Sequence, residues 1–428
     1  MKKIITILLA VVTAVTCCFA FAACGTPESS TNPPEGSTIK VGLITLHDDN
    51  STYDKNFIDA FKAACQAKDV EAVIKTGIGE DESCTTAANE LVEEGCKFVF
   101  ADSFGHEDFL KAVAREHTDV QFAHATGVSM QNDTLANFHN AFASIYEGRF
   151  LAGYAAGLKL KAMYAADKTI AKDGVITVGY VGAYPYAEVK SGYTSWLLGV
   201  RRAMEGVEGV TTVNMKVQFT FDWYHETKEA NAAKALIDAG CVLISQHADS
   251  WGAPTTCETA KVPNVSYNGS TESKCPNTFI VSSKINWQPY FEYAIDNVKA
   301  GTSFAKDWTA GLGDDIYTGS VCLSAFGAKA PAAGTAEAVA AVAAQLKAGT
   351  MKVFDTSKFA IQDYTVDAYA ALTEVTKDEN GKMLTAKQNG VSVIKTEGGI
   401  TYFDESNTET NRSAPYFDIN IVGIEIIE

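Results

Sequence analysis

Basic residues are scarce relative to acidic ones. Lysine and arginine together number 35 against 52 aspartates and glutamates, a formal charge of −17 over 428 residues. A general nucleic-acid binder needs a basic face, so that class of partner is excluded. No CxxC pair occurs, which removes zinc-ribbon and thioredoxin-type chemistry. GxSxG, HExxH and P-loop motifs are also missing, and His225-Glu226 lacks the second histidine of a zincin. No enzyme class is therefore indicated, and no cofactor. There is no internal repeat. With 46% hydrophobic and 20% charged residues, the chain is neither collagenous, wholly disordered nor a multi-span membrane protein.

The apolar run from Ile4 to Ala23 follows Lys2 and Lys3. A positive start, an apolar stretch and small residues before a cut site read as a secretory signal over residues 1–23. Phe21-Ala22-Ala23-Cys24-Gly25 is similar to a bacterial lipobox, with Cys24 as the lipidated residue. Residues 24–38, rich in Ser, Thr, Pro and Gly, cannot bury enough surface to order themselves and read as a tether. The body is thus expected outside the cytoplasmic membrane, anchored by lipid to a bacterial cell. Of the remaining cysteines, Cys257 and Cys275 are close enough in sequence for a short bridge in such a compartment; isolated buried thiols are the other reading.

From Ile39 onward short apolar runs alternate with amphipathic stretches. Ile39–Leu46, Val70–Lys75, Lys97–Asp102 and Val120–His124 read as strands, with helices Tyr53–Lys68, Ser83–Glu94 and Glu107–His117 between them. The rhythm restarts after a long helix from about Phe142 to Met163, whose Ala152, Gly153, Ala156 and Gly157 permit close helix packing. Strands Val175–Val181, Val210–Val217, Cys241–Gln246 and Val262–Tyr267 then alternate with helices Val189–Met204 and Glu226–Ala239. Thr278–Ser282 and the helix Trp287–Lys299 are expected to return to the first half. Thr335–Lys347 reads as a packed Ala-rich helix, and Val391–Lys395 with Ile400–Phe403 as a hairpin around Gly398-Gly399. The βαβα order predicts two parallel α/β lobes.

Ligands of such lobes bind beyond the carboxyl ends of the strands, and two lobes can close on a small molecule about a hinge. Nearly every loop there holds an aromatic beside a short polar residue. They include His47 to Asp54, Asp102 to His106, Gly182 to Tyr186, Asp222-Trp223-Tyr224, His247 to Trp251, Asn268-Gly269-Ser270 and Asn286-Trp287. Aromatic faces stack on a flat heterocycle, at about 1–3 kcal/mol per base, and the polar groups fix its orientation. Singly, such residues are as readily helix caps or core closures; repeated over several loops, they point to a planar polar ligand. His106-Glu107-Asp108 and His247 with Asp249 are the minor metal-ligand alternatives, and His106 reads first as a helix start.

In these segments the chain resembles the basic membrane lipoprotein family of ABC-transporter substrate-binding proteins, of purine- or nucleoside-binding type. The matching stretches are Ser51-Thr52-Tyr53-Asp54, Asp102-Ser103-Phe104-Gly105, Tyr146 to Gly153, Lys228-Glu229-Ala230, Gln246-His247-Ala248-Asp249-Ser250 and Asn286-Trp287-Gln288-Pro289-Tyr290. The resemblance implies a type I periplasmic-binding-protein fold, two doubly wound parallel-sheet lobes joined by a hinge. Lobe 1 is assigned residues 39–140 and about 283–315; lobe 2 takes about 141–282 and, with the C-terminal segment, about 316–428. It implies a purine base or nucleoside as ligand, an ABC permease as partner and a monomeric chain. The alternatives are a lipid-anchored sensor or surface lipoprotein, or a receptor for a non-purine heterocycle. The ligand-binding residues it implies are Tyr53, Asp54, Asp102, Ser103, Phe104, Gly105, Trp223, His247, Asp249, Ser250, Asn268 and Trp287. Tyr53 and Trp223 occupy the positions that sandwich the base. One departure is the loop Asn268-Gly269-Ser270-Thr271-Glu272, which lacks the aspartate that grips ribose in nucleoside-binding members and shifts weight toward a base.

Overall fold

In a computed structural model, residues 38–427 are described, apart from 131 and 367–369. The signal segment, Cys24 and the tether up to residue 37 lie outside the described residues.

The first sheet holds β1 (Lys40–Ile44), β2 (Glu71–Lys75), β3 (Cys96–Ala101), β4 (Gln121–Ala125) and β5 (Phe138–Ala141). With β11 (Asp307–Trp308) at its edge, its order is β11-β5-β4-β3-β1-β2, and every pair is parallel. Helices α1 (Thr52–Lys68), α2 (Glu82–Glu93) and α3 (Glu107–Glu116) make the crossovers. Val41, Leu43, Phe98, Val99 and Phe100 are wholly buried, because helices cover both faces of a parallel sheet and its strands read as continuous apolar runs.

Helix α4 (Ile145–Ala166) leads into the second sheet, built from β6 (Val175–Gly182), β7 (Thr212–Phe219), β8 (Ile244–His247), β9 (Asn264–Tyr267) and β10 (Phe279–Ile285). Its crossovers include α5 (Ala187–Met204), α6 (Glu226–Asp238) and α7 (Gly252–Ala260). The order is β12-β10-β9-β8-β6-β7, extended beyond β7 by the strand Ile424–Ile427; β12 (Val321–Leu323) is antiparallel to β10. Thus Phe279–Ile285 belongs to the second sheet, correcting the expectation that Thr278–Ser282 returns to the first. The return is made by α8 (Gln288–Ala300), which packs Phe291 edge-on against Phe61 of α1 at 5.0 Å.

The small residues of α4 behave as their size predicts. A Cβ on Gly153 would lie 2.0 Å from the Trp196 carbonyl oxygen, and one on Gly199 of α5 2.0 Å from that of Phe150. Two glycines therefore let the backbones of α4 and α5 touch. Helix α9 (Thr335–Lys347) buries Val339, Val342 and Leu346 in the same core. The C-terminal segment adds short antiparallel strands, among them the hairpin Ile394–Glu397 with Ile400–Phe403. Its turn is Gly398-Gly399, both at positive φ, as a two-residue hairpin turn requires. Cys257 and Cys275 form no bridge: all seven described cysteines are free and buried, and Cys275 Sγ instead meets the Thr271 carbonyl at 3.1 Å. Among the described residues no helix is long and apolar enough to cross a membrane.

Candidate functional site

Each sheet reverses its strand order once, between β1 and β3 in the first and between β6 and β8 in the second. The loops diverge at such a point and leave a crevice beyond the carboxyl ends. The two crevices face each other. Between them lies a cavity with about 380 Å³ between its walls, partly open to solvent, lined by Leu46, His47, Tyr53, Asp54, Ser103, Phe104 and Thr126 from the first lobe. Glu188, Trp223, His247, Asp249 and Tyr267 line it from the second.

Asp54 is the hub of the first wall. It sits in the first turn of α1, whose N-cap is Ser51. Ser51 Oγ donates to its Oδ2 at 2.5 Å, and the His47 backbone N–H to its Oδ1 at 2.7 Å. Burial alone would raise its pKa, but hydrogen bonds from His47 and Ser51 outweigh burial and hold the carboxyl below its ordinary range. Asp102 stands directly behind. The Leu46 N–H donates to its Oδ1 at 3.2 Å, while its buried Oδ2 has no hydrogen-bond partner among the described residues. Burial, reinforced by the charge of Asp54, pushes this carboxyl well above its ordinary range. Tyr53 donates its hydroxyl to the Asp102 carbonyl at 2.8 Å, which fixes its ring beside the cavity.

Asp249 is the counterpart on the second wall. Burial and the charges of Asp54, Glu229 and Glu188 raise its pKa well above the usual carboxylate range. Asn268, at φ 64° past the end of β9, points Nδ2 at Asp249 Oδ1 from 3.4 Å. The loop after β9 thus supplies no carboxylate, but its asparagine holds one that faces the cavity. His247 lies between the Tyr180 hydroxyl, 3.3 Å from Nδ1, and Glu188 Oε1, 3.4 Å from Nε2. Burial first, then the Arg149 charge, lower its pKa and keep it neutral. The Arg149 guanidinium lies 4.5 Å from the Tyr267 ring centre.

The lobes touch around this cavity. Thr52 donates both its N–H and its hydroxyl to the Asp249 carbonyl, each at 3.2 Å, and the Trp251 indole donates to the Asn50 carbonyl at 3.0 Å. Phe104 stacks on Tyr186 of the opposite lobe, ring centres 5.0 Å apart. Trp223 packs against Tyr184 at 5.1 Å.

Of the residues singled out from sequence, Tyr53, Asp54, Ser103, Phe104, Trp223, His247 and Asp249 line the cavity. Asp102 and Asn268 sit behind the wall. Gly105 turns its N–H to Glu80 Oε1 at 2.8 Å, and the Ser103 hydroxyl donates to the same oxygen at 2.7 Å. Ser250 is structural: its N–H donates to Glu229 at 3.1 Å, and its hydroxyl accepts the Gly252 N–H at 3.1 Å. Trp287 does not reach the cavity; it is buried in the first-lobe core, stacked on Phe57 at 4.3 Å. It follows β10 of the second sheet and opens the helix that returns to the first lobe. Leu46, His47, Thr126, Glu188 and Tyr267 were not singled out. His47 lay in a flagged loop. Thr126 carries a positive φ of 60° at the end of β4, a strained position for a β-branched residue that sequence does not reveal. Among the described residues no three His, Cys, Asp or Glu side chains are grouped to hold a metal ion.

The family model for PnrA-like ABC transporter substrate-binding proteins, Bmp, matches residues 42–318. A purine-binding protein of Brucella abortus is 30% identical over 231 residues, 54% of this chain and 59% of its own. A Haloferax volcanii protein named as an ABC transporter glucose-binding protein is 29% identical over 214 residues, 50% of this chain and 49% of its own. The chain thus spans about half the length of the curated relatives it matches. An ABC transporter solute-binding protein of Aeropyrum pernix superposes with a TM-score of 0.60 at 15% identity, covering 74% of this chain and 93% of that one. At that identity the likeness speaks for the fold, the type I periplasmic-binding-protein arrangement of two α/β lobes.

Proposed function

Because the chain belongs to the Bmp family of PnrA-like ABC transporter substrate-binding proteins, we propose that it captures a purine base or nucleoside between its lobes outside the cytoplasmic membrane and delivers it to an ABC permease. On this reading Cys24 carries the lipid anchor, the chain acts as a monomer, and closure and release replace any bond chemistry.

The observation that carries the reading is the makeup of the cavity wall. Rings from both lobes, Tyr53 and Phe104 against Trp223, face one space that also holds the buried Asp249 carboxyl, whose pKa is raised by burial. A carboxyl that keeps its proton offers both an O–H donor and an acceptor. A purine edge presents N–H donors and lone-pair acceptors side by side, so the Asp249 carboxyl at the wall complements it, with Asp102 supporting the wall from behind. Asp54, already saturated by Ser51 and His47, orients the first wall and contributes its field. Asp249, supported by Asn268, also lies where a ribose hydroxyl could be gripped, so a nucleoside fits the reading as well as a base does.

The test is calorimetric titration of the exported body, stripped of carried-over ligand, with adenine, guanine, hypoxanthine, their nucleosides and glucose. Binding of a purine or nucleoside at micromolar or better, on the order of −8 kcal/mol, with no response to glucose, is the expected result. Glucose is included because a carboxyl-rich cleft also suits sugar hydroxyls and one relative is named for glucose. Binding of glucose alone would sink the purine assignment.

A further inference from the structure

Beside the cavity lies a second chamber with about 630 Å³ between its walls, also open to solvent. The two share Phe104, Thr126 and Glu188, so they adjoin. The far wall is built by Tyr186 and by Arg412 and Ala414 of the C-terminal segment. That segment lies outside the stretch 42–318 that matches the family. The chamber's walls therefore combine residues inside the matched stretch with Arg412 and Ala414 from beyond it.

Among the described residues that line it, Arg412 is the one cationic side chain. Its Nε is buried and has no hydrogen-bond partner among the described residues. Most carboxylate oxygens around it, among the described residues, have other partners; Asp418 Oδ1 is the exception. Glu107 accepts the Val128 and Ser129 N–H groups and the Ser129 hydroxyl; Glu405 accepts Ser191 Oγ and the Tyr416 and Phe417 N–H groups. Asp418 Oδ2 accepts the Ala371 N–H, its Oδ1 remaining buried without a partner, and Glu188 lies against His247. An arginine cannot shed its charge, so a guanidinium with an unmet donor at the edge of a cavity is left to a ligand acceptor.

A second feature of the chamber has the same polarity. Helix α5 begins at its wall: Ala187 lines the chamber, and the N-cap, Tyr186, makes no side-chain capping bond. The first-turn N–H groups of this 18-residue helix lack a side-chain cap from Tyr186, and the positive end of its dipole lies at the chamber beside Glu188, the acidic residue of the same turn.

The geometry points to an oxyanion subsite in this chamber, with Arg412 and the α5 N-terminus receiving a phosphate or carboxylate group beside the heterocycle. The anion is either a substituent of the bound ligand, such as the phosphate of a nucleoside monophosphate, or a free anion bound alongside it. The ligand-borne form rests on the purine reading above; the subsite does not.

The experiment is titration of the full chain and of Arg412→Gln and Arg412→Lys with adenosine, guanosine, their 5′-monophosphates and inorganic phosphate. A charge-assisted hydrogen bond corresponds to roughly tenfold or more in affinity. The wild type should bind a monophosphate at least about tenfold more tightly than its nucleoside. Arg412→Gln should erase that preference and Arg412→Lys keep part of it. Binding of inorganic phosphate that Arg412→Gln abolishes, with no monophosphate preference, assigns the subsite to a free anion. If neither nucleoside nor monophosphate binds but phosphate binds through Arg412, the subsite stands and the purine reading falls. If wild type binds nucleosides at least as well as monophosphates and ignores phosphate, the subsite is refuted while the purine reading survives. That last comparison needs only wild type, so it holds even if a variant fails to fold.

Discussion

The two rings that flank the cavity, Tyr53 and Trp223, come from different lobes and hang on different supports. Tyr53 is tied by its hydroxyl to the Asp102 carbonyl, whereas Trp223 is held by packing on Tyr184 and Tyr186. Tyr53→Ala and Trp223→Ala should each weaken ligand binding by about 1–3 kcal/mol in calorimetry while leaving the melting temperature near wild type. Affinity unchanged in both would rule out stacking. Asp102 makes a sharper case, because it is fully buried behind the wall and its Oδ2 has no hydrogen-bond partner among the described residues. Asp102→Asn preserves shape and supplies an N–H where the protonated acid has its O–H, so it should keep most of the affinity. Asp102→Ala should lose about 1–3 kcal/mol more, read as a Kd ratio between the two variants. A loss as large in Asn as in Ala would mean that the ligand needs the ionised form.

Among the elements, the α4–α5 crossing is the tightest joint in the second lobe. A methyl on Gly153 or Gly199 meets a carbonyl oxygen of the facing helix, which cannot rotate away as a side chain could. Gly153→Ala and Gly199→Ala should each destabilise the protein by about 1–3 kcal/mol or more in chemical denaturation, despite alanine's better helix propensity. A neutral or stabilising result would mean that the helices slide apart freely. This joint was legible in sequence as a cluster of small residues, and so was the alternation of strand and helix, since both follow from local apolar period. What failed was non-local or weakly apolar. β5 reads Phe-His-Asn-Ala, with two polar residues held by partners that only the fold supplies: His139 by Gln121 and Asn140 by Asp307. Helix α7 is short and carries Pro254, so its signal is faint. The sheet to which β10 belongs is a matter of topology, on which periodicity is silent. For the same reason sequence points Trp287 at the cleft and does not single out Glu188, in the first turn of α5. The loops that build the site could be found, but not the depth of each side chain within them.

For the molecule as a whole, buried ionisable groups set the response to pH. Burial pushes Glu147, Glu229 and Glu405 up to about 7 and Asp307 to about 6. These groups hold protons in the folded state that the unfolded chain has lost, so each removes stability as pH rises from about 4.5 toward 7. Buried His106, His124, His139 and His247 are lowered by desolvation and act in the opposite sense, adding stability as pH rises to about 6.5. The two sets offset each other in mild acid; above about 6.5 only the carboxyl effect is left. The melting temperature should therefore be flat near pH 5–6 and fall toward pH 8. Glu405 accepts three hydrogen bonds and ties residues 416 and 417 to Ser191 of α5. Glu405→Gln mimics the protonated acid and should gain about 2–3 kcal/mol over wild type between pH 5 and pH 8 in denaturation experiments. A constant difference across that range would show that Glu405 is ionised in the folded state throughout. The sheet edge bears on a different property, the order of assembly. Ile424 lies opposite Met215, so β7 gains its outer partner only after a long stretch of further chain has been made. Until then β7 presents an open row of backbone donors and acceptors, and pairing across so long a loop is slow. A chain lacking that partner is thus sticky along that one strand, and the strand Ile424–Ile427 acts as the cover that ends its tendency to aggregate.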